Sequence, residues 1–138
     1  MEVILSRLWF AFPGVLALAL IAHPQIAAAQ SADMLGTWKG EAAQNAGTSG
    51  YTVILTLTES GAVSEYPQLN CGGILTRVGS ADGYVFYSEK ITEGGQNSGG
   101  SCIDGTVTIA PAGGRLAWGW IGSYGGEVYA AWSNLIRE

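Results

Sequence analysis

Few side chains in this sequence can exchange a proton near neutrality. The only histidine, His23, lies inside an apolar leader, so a chain processed after that leader has no imidazole, the usual base for activating serine or cysteine and the commonest metal ligand. The two cysteines, Cys71 and Cys102, form an even, isolated pair. In an oxidising compartment such a pair closes as a structural disulfide, a cross-link worth about 3–4 kcal/mol in the chain-entropy model. Glu65, Glu89, Asp104 and Glu127 are available as carboxylates. Glycoside hydrolysis needs two of them facing each other at about 5–9 Å, and nothing in their spacing pairs them. With no Asp-rich loop of calcium type and no Cys/His set, no metal, cofactor or catalytic residue is expected, and the chain reads as not an enzyme. The stretch Gly94–Gly100 lacks the lysine and the following helix of a phosphate loop, so it is expected to be a mobile hairpin tip, a natural place to meet a partner.

These residues sit in a chain built for export. Arg7, the apolar stretch Leu8 to Ala22 and the small-residue run Ala27-Ala28-Ala29 follow one another as in a secretory signal peptide, with the cut expected after Ala29. The apolar stretch is about 15 residues and contains Pro13, short of the roughly 20 needed to span a bilayer. A flexible segment, residues 30–35, and one domain, residues 36–138, are expected to remain. The product is then periplasmic or secreted, with no membrane association after cleavage. Net charge is −5, and the bases of the mature part (Lys39, Arg77, Lys90, Arg115, Arg137) are scattered, which excludes a nucleic-acid partner.

Short runs rich in Val, Ile, Thr, Tyr and Trp alternate with glycine clusters, and no helical period is present. The class is all-β, with eight strands predicted at Gly36 to Ala43, Tyr51 to Thr58, Ala62 to Tyr66, Cys71 to Gly79, Tyr84 to Thr92, Cys102 to Ala110, Arg115 to Ile121 and Glu127 to Ile136. Most connections are short enough for hairpins. A meander of eight twisted strands can close into an antiparallel up-and-down barrel, which removes exposed edges; a two-sheet sandwich is the alternative.

Period-two alternation sorts the faces. Tyr51, Val53, Leu55 and Leu57 share one side of the second strand, and Leu116, Trp118 and Trp120 one side of the seventh. The eighth strand offers Val128, Ala130 and Trp132 on one face against Tyr129, Ala131 and Ser133 on the other, and its inward side is left open. Pairing the fourth and fifth strands through Ser80 to Gly83 sets Arg77 opposite Val85, Leu75 opposite Tyr87 and Gly73 opposite Glu89. Arg77 is expected at the surface. Glu89 shares its face with Val85, Tyr87 and Ile91, and a charge on the inner face would need a compensating group or a polar ligand. Eight strands enclose either a filled core or one small ligand.

Gly36-Thr37-Trp38 on the first strand, with Arg137 ending the last, resembles the signature of the calycin superfamily of barrels. That resemblance implies that Trp38 closes one end and that Arg137 packs across it. The lipocalin Thr-Asp-Tyr motif and the biotin-contacting motifs of avidins are absent. The pattern Tyr66-Pro67, Cys71-Gly72-Gly73, Leu75, Glu89, Cys102, Gly105, Val107 and Leu116-x-Trp118-x-Trp120 resembles a family of small extracytoplasmic disulfide-containing β domains, free-standing or attached to bacterial serine/threonine kinases. The run from Ser31 to Trp38 is similar to the start of periplasmic metalloprotease inhibitors, whose N-terminal segment enters the protease cleft. Those inhibitors have a cysteine on the second strand, and this chain has none there.

The sequence therefore points to a non-catalytic calycin-like barrel that binds a small apolar or aromatic ligand or an extracytoplasmic protein. Trp118, Trp120, Trp132, Tyr87 and Glu89 are its expected contacts. The alternative is a periplasmic enzyme inhibitor acting through its N-terminal segment or rim loops.

Overall fold

A computed structural model describes residues 32–47 and 49–138. The signal peptide, its cleavage point and residues 30–31 lie outside the described residues. Eight strands succeed one another: β1 (Gly36–Gln44), β2 (Tyr51–Thr58), β3 (Gly61–Tyr66), β4 (Cys71–Ala81), β5 (Tyr84–Glu93), β6 (Gly105–Ala112), β7 (Arg115–Tyr124) and β8 (Glu127–Arg137). Each pairs antiparallel with the next, and β8 returns to β1, closing an up-and-down barrel. Closure rules out the two-sheet sandwich. Cys71 and Cys102 form the disulfide, and calycin-like describes the architecture fairly.

The alternation in β2 shows why these residues make these strands. Tyr51, Val53, Leu55 and Leu57 are buried, while Thr52, Ile54 and Thr56 between them are half-exposed on the outer face. Inward Leu75, Val107, Ile109, Leu116 and Leu135 complete the packed middle of the barrel, each fully buried side chain contributing about 1.5–3 kcal/mol. At Gly113-Gly114 and Gly125-Gly126 both residues have positive φ, 58° and 79°, then 61° and 85°. Two-residue hairpins of type I′ require that conformation, and glycine adopts it without steric cost.

One expected register and one expected strand start are corrected. The β4–β5 turn is the pair Asp82-Gly83, with φ of 50° and 85°, so β4 runs on to Ala81, and the ladder shifts between Arg77 and Gly79. Arg77 therefore faces Tyr87, Leu75 faces Glu89 and Gly73 faces Ile91. Glu89 lies inside, and Arg77, expected at the surface, is half-buried. β6 begins at Gly105, not Cys102, because the side chain of Asp104 takes the Ile91 N–H at 2.8 Å, where a strand carbonyl would otherwise stand.

One end of the barrel, where the β2–β3, β4–β5 and β6–β7 turns gather, is shut by Trp38 and Arg137. Trp38 is 4 % exposed, donates its indole N–H to the Met34 carbonyl at 2.8 Å, and has the Arg137 guanidinium 4.3 Å above its ring, within cation–π range. Arg137 in turn donates to the carbonyls of Leu35 and of Asp33, the latter at 2.6 Å. Gly36 is required here because a Cβ would stand 2.6 Å from the guanidinium. The segment expected to be flexible is engaged in this plug from Ala32 onward: Ala32–Met34 forms a 3-10 turn with Met34 buried, and the carbonyls of Asp33, Met34 and Leu35 accept the hydrogen bonds of Arg137 and Trp38.

Candidate functional site

At the opposite end the β1–β2, β3–β4, β5–β6 and β7–β8 connections surround a cavity of about 250 Å³. Its floor is a buried carboxylate. Glu89 of β5 is 2 % exposed and accepts three hydrogen bonds: Oε1 from the Ser64 hydroxyl and from the Tyr66 hydroxyl at 2.7 Å, Oε2 from the Trp120 indole N–H at 2.7 Å. The donors come from β3 and β7, on opposite sides of the barrel from one another relative to β5.

Glycines make this convergence possible. Gly105 and Gly122 are paired across β6 and β7, and a Cβ on either would come within 2.5 Å of the Trp120 indole. The two bare backbones form the slot in which that ring lies. Gly73 does the same for the acid: a Cβ there would meet Glu89 Cγ at 3.2 Å and the Lys90 carbonyl at 2.8 Å. An indole and a carboxyl group thus fit side by side inside a narrow barrel.

Burial dominates the electrostatics. Loss of water pushes the Glu89 carboxyl up from its usual value, opposed by the hydrogen bonds from Ser64, Tyr66 and Trp120, while the charge of Asp104 pushes in the same direction as burial. Burial, reinforced by the Glu89 charge, pushes the Tyr51 phenol up to about 12 and Tyr66 well above its ordinary range. Both tyrosines are therefore neutral donors at physiological pH. Tyr51 meets Tyr66 edge-on at 6.0 Å between ring centres and donates to the Gln44 side-chain carbonyl at 3.0 Å.

The loop from Gly94 to Asp104 forms one wall and is more organised than a hairpin tip. It contains a 3-10 turn, Gln96–Ser98, the Gln96 N–H donates to the Cys102 carbonyl at 3.1 Å, and the Cys102 N–H donates to Gly94 at 3.2 Å. The disulfide ties it to the start of β4, with 6.3 Å between the two Cα atoms. Half-buried Cys102, Ile103 and Ile91 thereby face the cavity.

Of the five expected contacts, Glu89 and Trp120 meet at the cavity. Trp118 and Tyr87, each 2 % exposed, belong to the packed core instead; Trp118 lies 6.5 Å from the Tyr66 ring. Trp132 is on the outer face, 54 % exposed, beside Ala43 and Gly119. The pairing of Trp120 with Ala131 sets β8 so that Tyr129, Ala131 and Leu135 point inward, which sends Trp132 out. Ser64, Tyr66, Tyr51 and Tyr129 were missed as site residues. Ser64 carried a signal, a polar residue in the inward phase between Ala62 and Tyr66.

The fold and this end-on cavity define a small closed barrel of calycin-like form. No family model, curated protein or solved structure matches the chain. Among the described residues no group of three His, Cys, Asp or Glu is placed to hold a metal, and no helix is long and apolar enough to cross a membrane.

Proposed function

We propose that this chain is a non-catalytic, periplasmic or secreted binding protein that holds a small organic molecule with an aromatic or apolar body in the cavity at the open end. The observation that carries this reading is the cavity itself, walled by Tyr51, Tyr66, Trp120, Tyr129 and Ile91 above one carboxylate. At about 30 Å³ per water, its volume corresponds to about eight to ten non-hydrogen atoms. Concave, mostly apolar walls with a few convergent polar groups are the usual form of a small-molecule site. Two-carboxylate hydrolysis would need a partner for Glu89, and among the described residues no other carboxylate lines the cavity. The disulfide is of the kind that persists in an oxidising, extracytoplasmic compartment, in keeping with the leader sequence. The inhibitor alternative in its N-terminal form requires residues 30–35 to be free, whereas from Ala32 onward they plug the barrel; its other form would act through the rim loops.

Native mass spectrometry of the processed protein taken from its own compartment is the test, together with the Trp120 indole N–H resonance during titration with small aromatic fragments. A retained mass of roughly one to two hundred daltons, matching the cavity volume, or a fragment that shifts that resonance, supports the reading. A bare chain whose Trp120 resonance no fragment moves overturns it. A bare chain recovered with a second protein would direct attention to the rim loops.

A further inference from the structure

The cavity's charge is one-sided. Among the described residues Glu89 is the one carboxyl group in its wall, and no lysine, arginine or histidine lines it. At the rim Glu127 adds a second negative charge, accepting a hydrogen bond from the Tyr129 hydroxyl at 2.8 Å. The remaining polar lining is neutral amide and hydroxyl, from Gln44, Gln96 and Ser101. An anion entering this space would meet a carboxylate in a weakly screening interior with no cation to offset the repulsion.

The donors around Glu89 are also incomplete. A carboxylate has about four lone-pair positions. Oε1 accepts two hydrogen bonds and Oε2 one, so Oε2 retains an acceptor position. The three partners donate without bringing a positive charge, since tyrosine, serine and indole are all neutral. A buried carboxylate with no cation is an expensive group to hold, and it becomes cheaper when a cation arrives. The rings of Tyr51, Tyr66, Trp120 and Tyr129 surround the same space, and aromatic faces attract a cationic nitrogen more strongly once water is displaced.

We infer that the ligand class of this cavity is a small cationic amine with an aromatic or apolar body, its ammonium group directed to Glu89 and its body packed against the rings of Trp120 and Tyr129. This inference rests on the reading of the cavity as a ligand site and adds the sign of the ligand's charge. Glu89 is then the residue that sets specificity, because among the described residues it is the one charged group in the wall.

Three probes of nearly equal size separate the possibilities: phenethylamine, 2-phenylethanol and phenylacetate, titrated by calorimetry into the processed, disulfide-intact protein. The amine should bind at least about tenfold more tightly than the alcohol, a difference of about 1.4 kcal/mol, and phenylacetate should not bind. The Trp120 indole N–H, which shares the carboxylate, should shift with the amine. In Glu89→Gln, with folding verified by near-ultraviolet circular dichroism, amine and alcohol should fall within about twofold of each other. Amine and alcohol binding equally to the unaltered protein would overturn the inference and leave the cavity reading standing, a comparison that needs no variant. An amine preference that survives in folded Glu89→Gln would also overturn it, because the charge would then reside elsewhere. Failure of all three probes at millimolar concentration would overturn both the inference and the reading beneath it.

Discussion

The two ends of the barrel are built on the same eight strands and finished in opposite ways. At the shut end the two polar side chains of the plug find partners: the Trp38 N–H meets the Met34 carbonyl, and the Arg137 guanidinium meets two further carbonyls while lying over the indole. At the open end a carboxylate is buried with neutral donors only, beside a cavity. On the proposed reading of the open end, the difference separates stability from recognition along one barrel axis. A plug that is fully satisfied has nothing left to offer a ligand, whereas Glu89 is held at a cost that a suitable ligand would reduce.

The largest effects should come from the shut end. Trp38→Ala removes the ring on which Arg137 rests and the N–H that holds the Met34 carbonyl, and should cost about 3–5 kcal/mol in urea denaturation, the usual range for a buried tryptophan or phenylalanine cut to alanine. Whatever fraction stays folded should keep its probe binding, because the cavity lies at the other end. A loss of binding in folded Trp38→Ala would break the separation argued above.

Replacing both cysteines with serine should cost about 4 kcal/mol in the chain-entropy model, since the cross-link spans a sequence separation of 31. Here the comparison is sharpened. The disulfide positions Cys102 and Ile103 in the cavity wall, so this variant should weaken probe binding as well as stability. Denaturation and calorimetry on the same preparations would show whether the two losses occur together at the open end and separately at the shut one.

The contrast between the ends also explains what the sequence could reveal. Alternation made the eight strands and the inward set of β2 and β7 legible, because burial on one face imposes period two on every strand. Gly36-x-Trp38 and Arg137 were legible because the plug is local to the first and last strands. The open end depends on register between strands distant in sequence. Trp132 was placed among the contacts because β8 has apolar residues on both faces, and only its pairing with β7 decides which face is inner. Glu89 could not be assigned to a face until the shift after Arg77 was known. Gly105 reads as a strand glycine and Gly122, just past the expected end of β7 at Ile121, as a turn glycine, since the slot they form for Trp120 exists only once β6 and β7 are paired. The even pair of cysteines gave the disulfide, but not the wall it holds in place.

The smallest effect, and the most specific to the open end, concerns acid. The folded barrel raises the Glu89 carboxyl above its ordinary value of 4.5, so as pH rises from that value the unfolded chain releases this proton before the folded one does. Folded protein then binds more protons than unfolded, and stability falls with rising pH until the folded carboxyl has also ionised. Stability from this group is therefore greatest below about pH 4.5 and is lost above it, the reverse of a salt-bridged carboxylate. Asp104 has the opposite sign: its hydrogen bond from Lys90 lowers it from 3.8, so its contribution disappears only at still lower pH, in a separate window. Tyr51 and Tyr66, the other titratable groups facing Glu89, ionise far on the alkaline side. In Glu89→Gln the decline above pH 4.5 should vanish. At acid pH, where Glu89 is neutral in both states, the two proteins should differ by no more than one neutral hydrogen bond, about 1 kcal/mol. Urea midpoints measured from pH 3.5 to 8 would check this. Parallel curves for the two proteins would mean that Glu89 is not strained by burial, and the open end would then be as fully satisfied as the shut one.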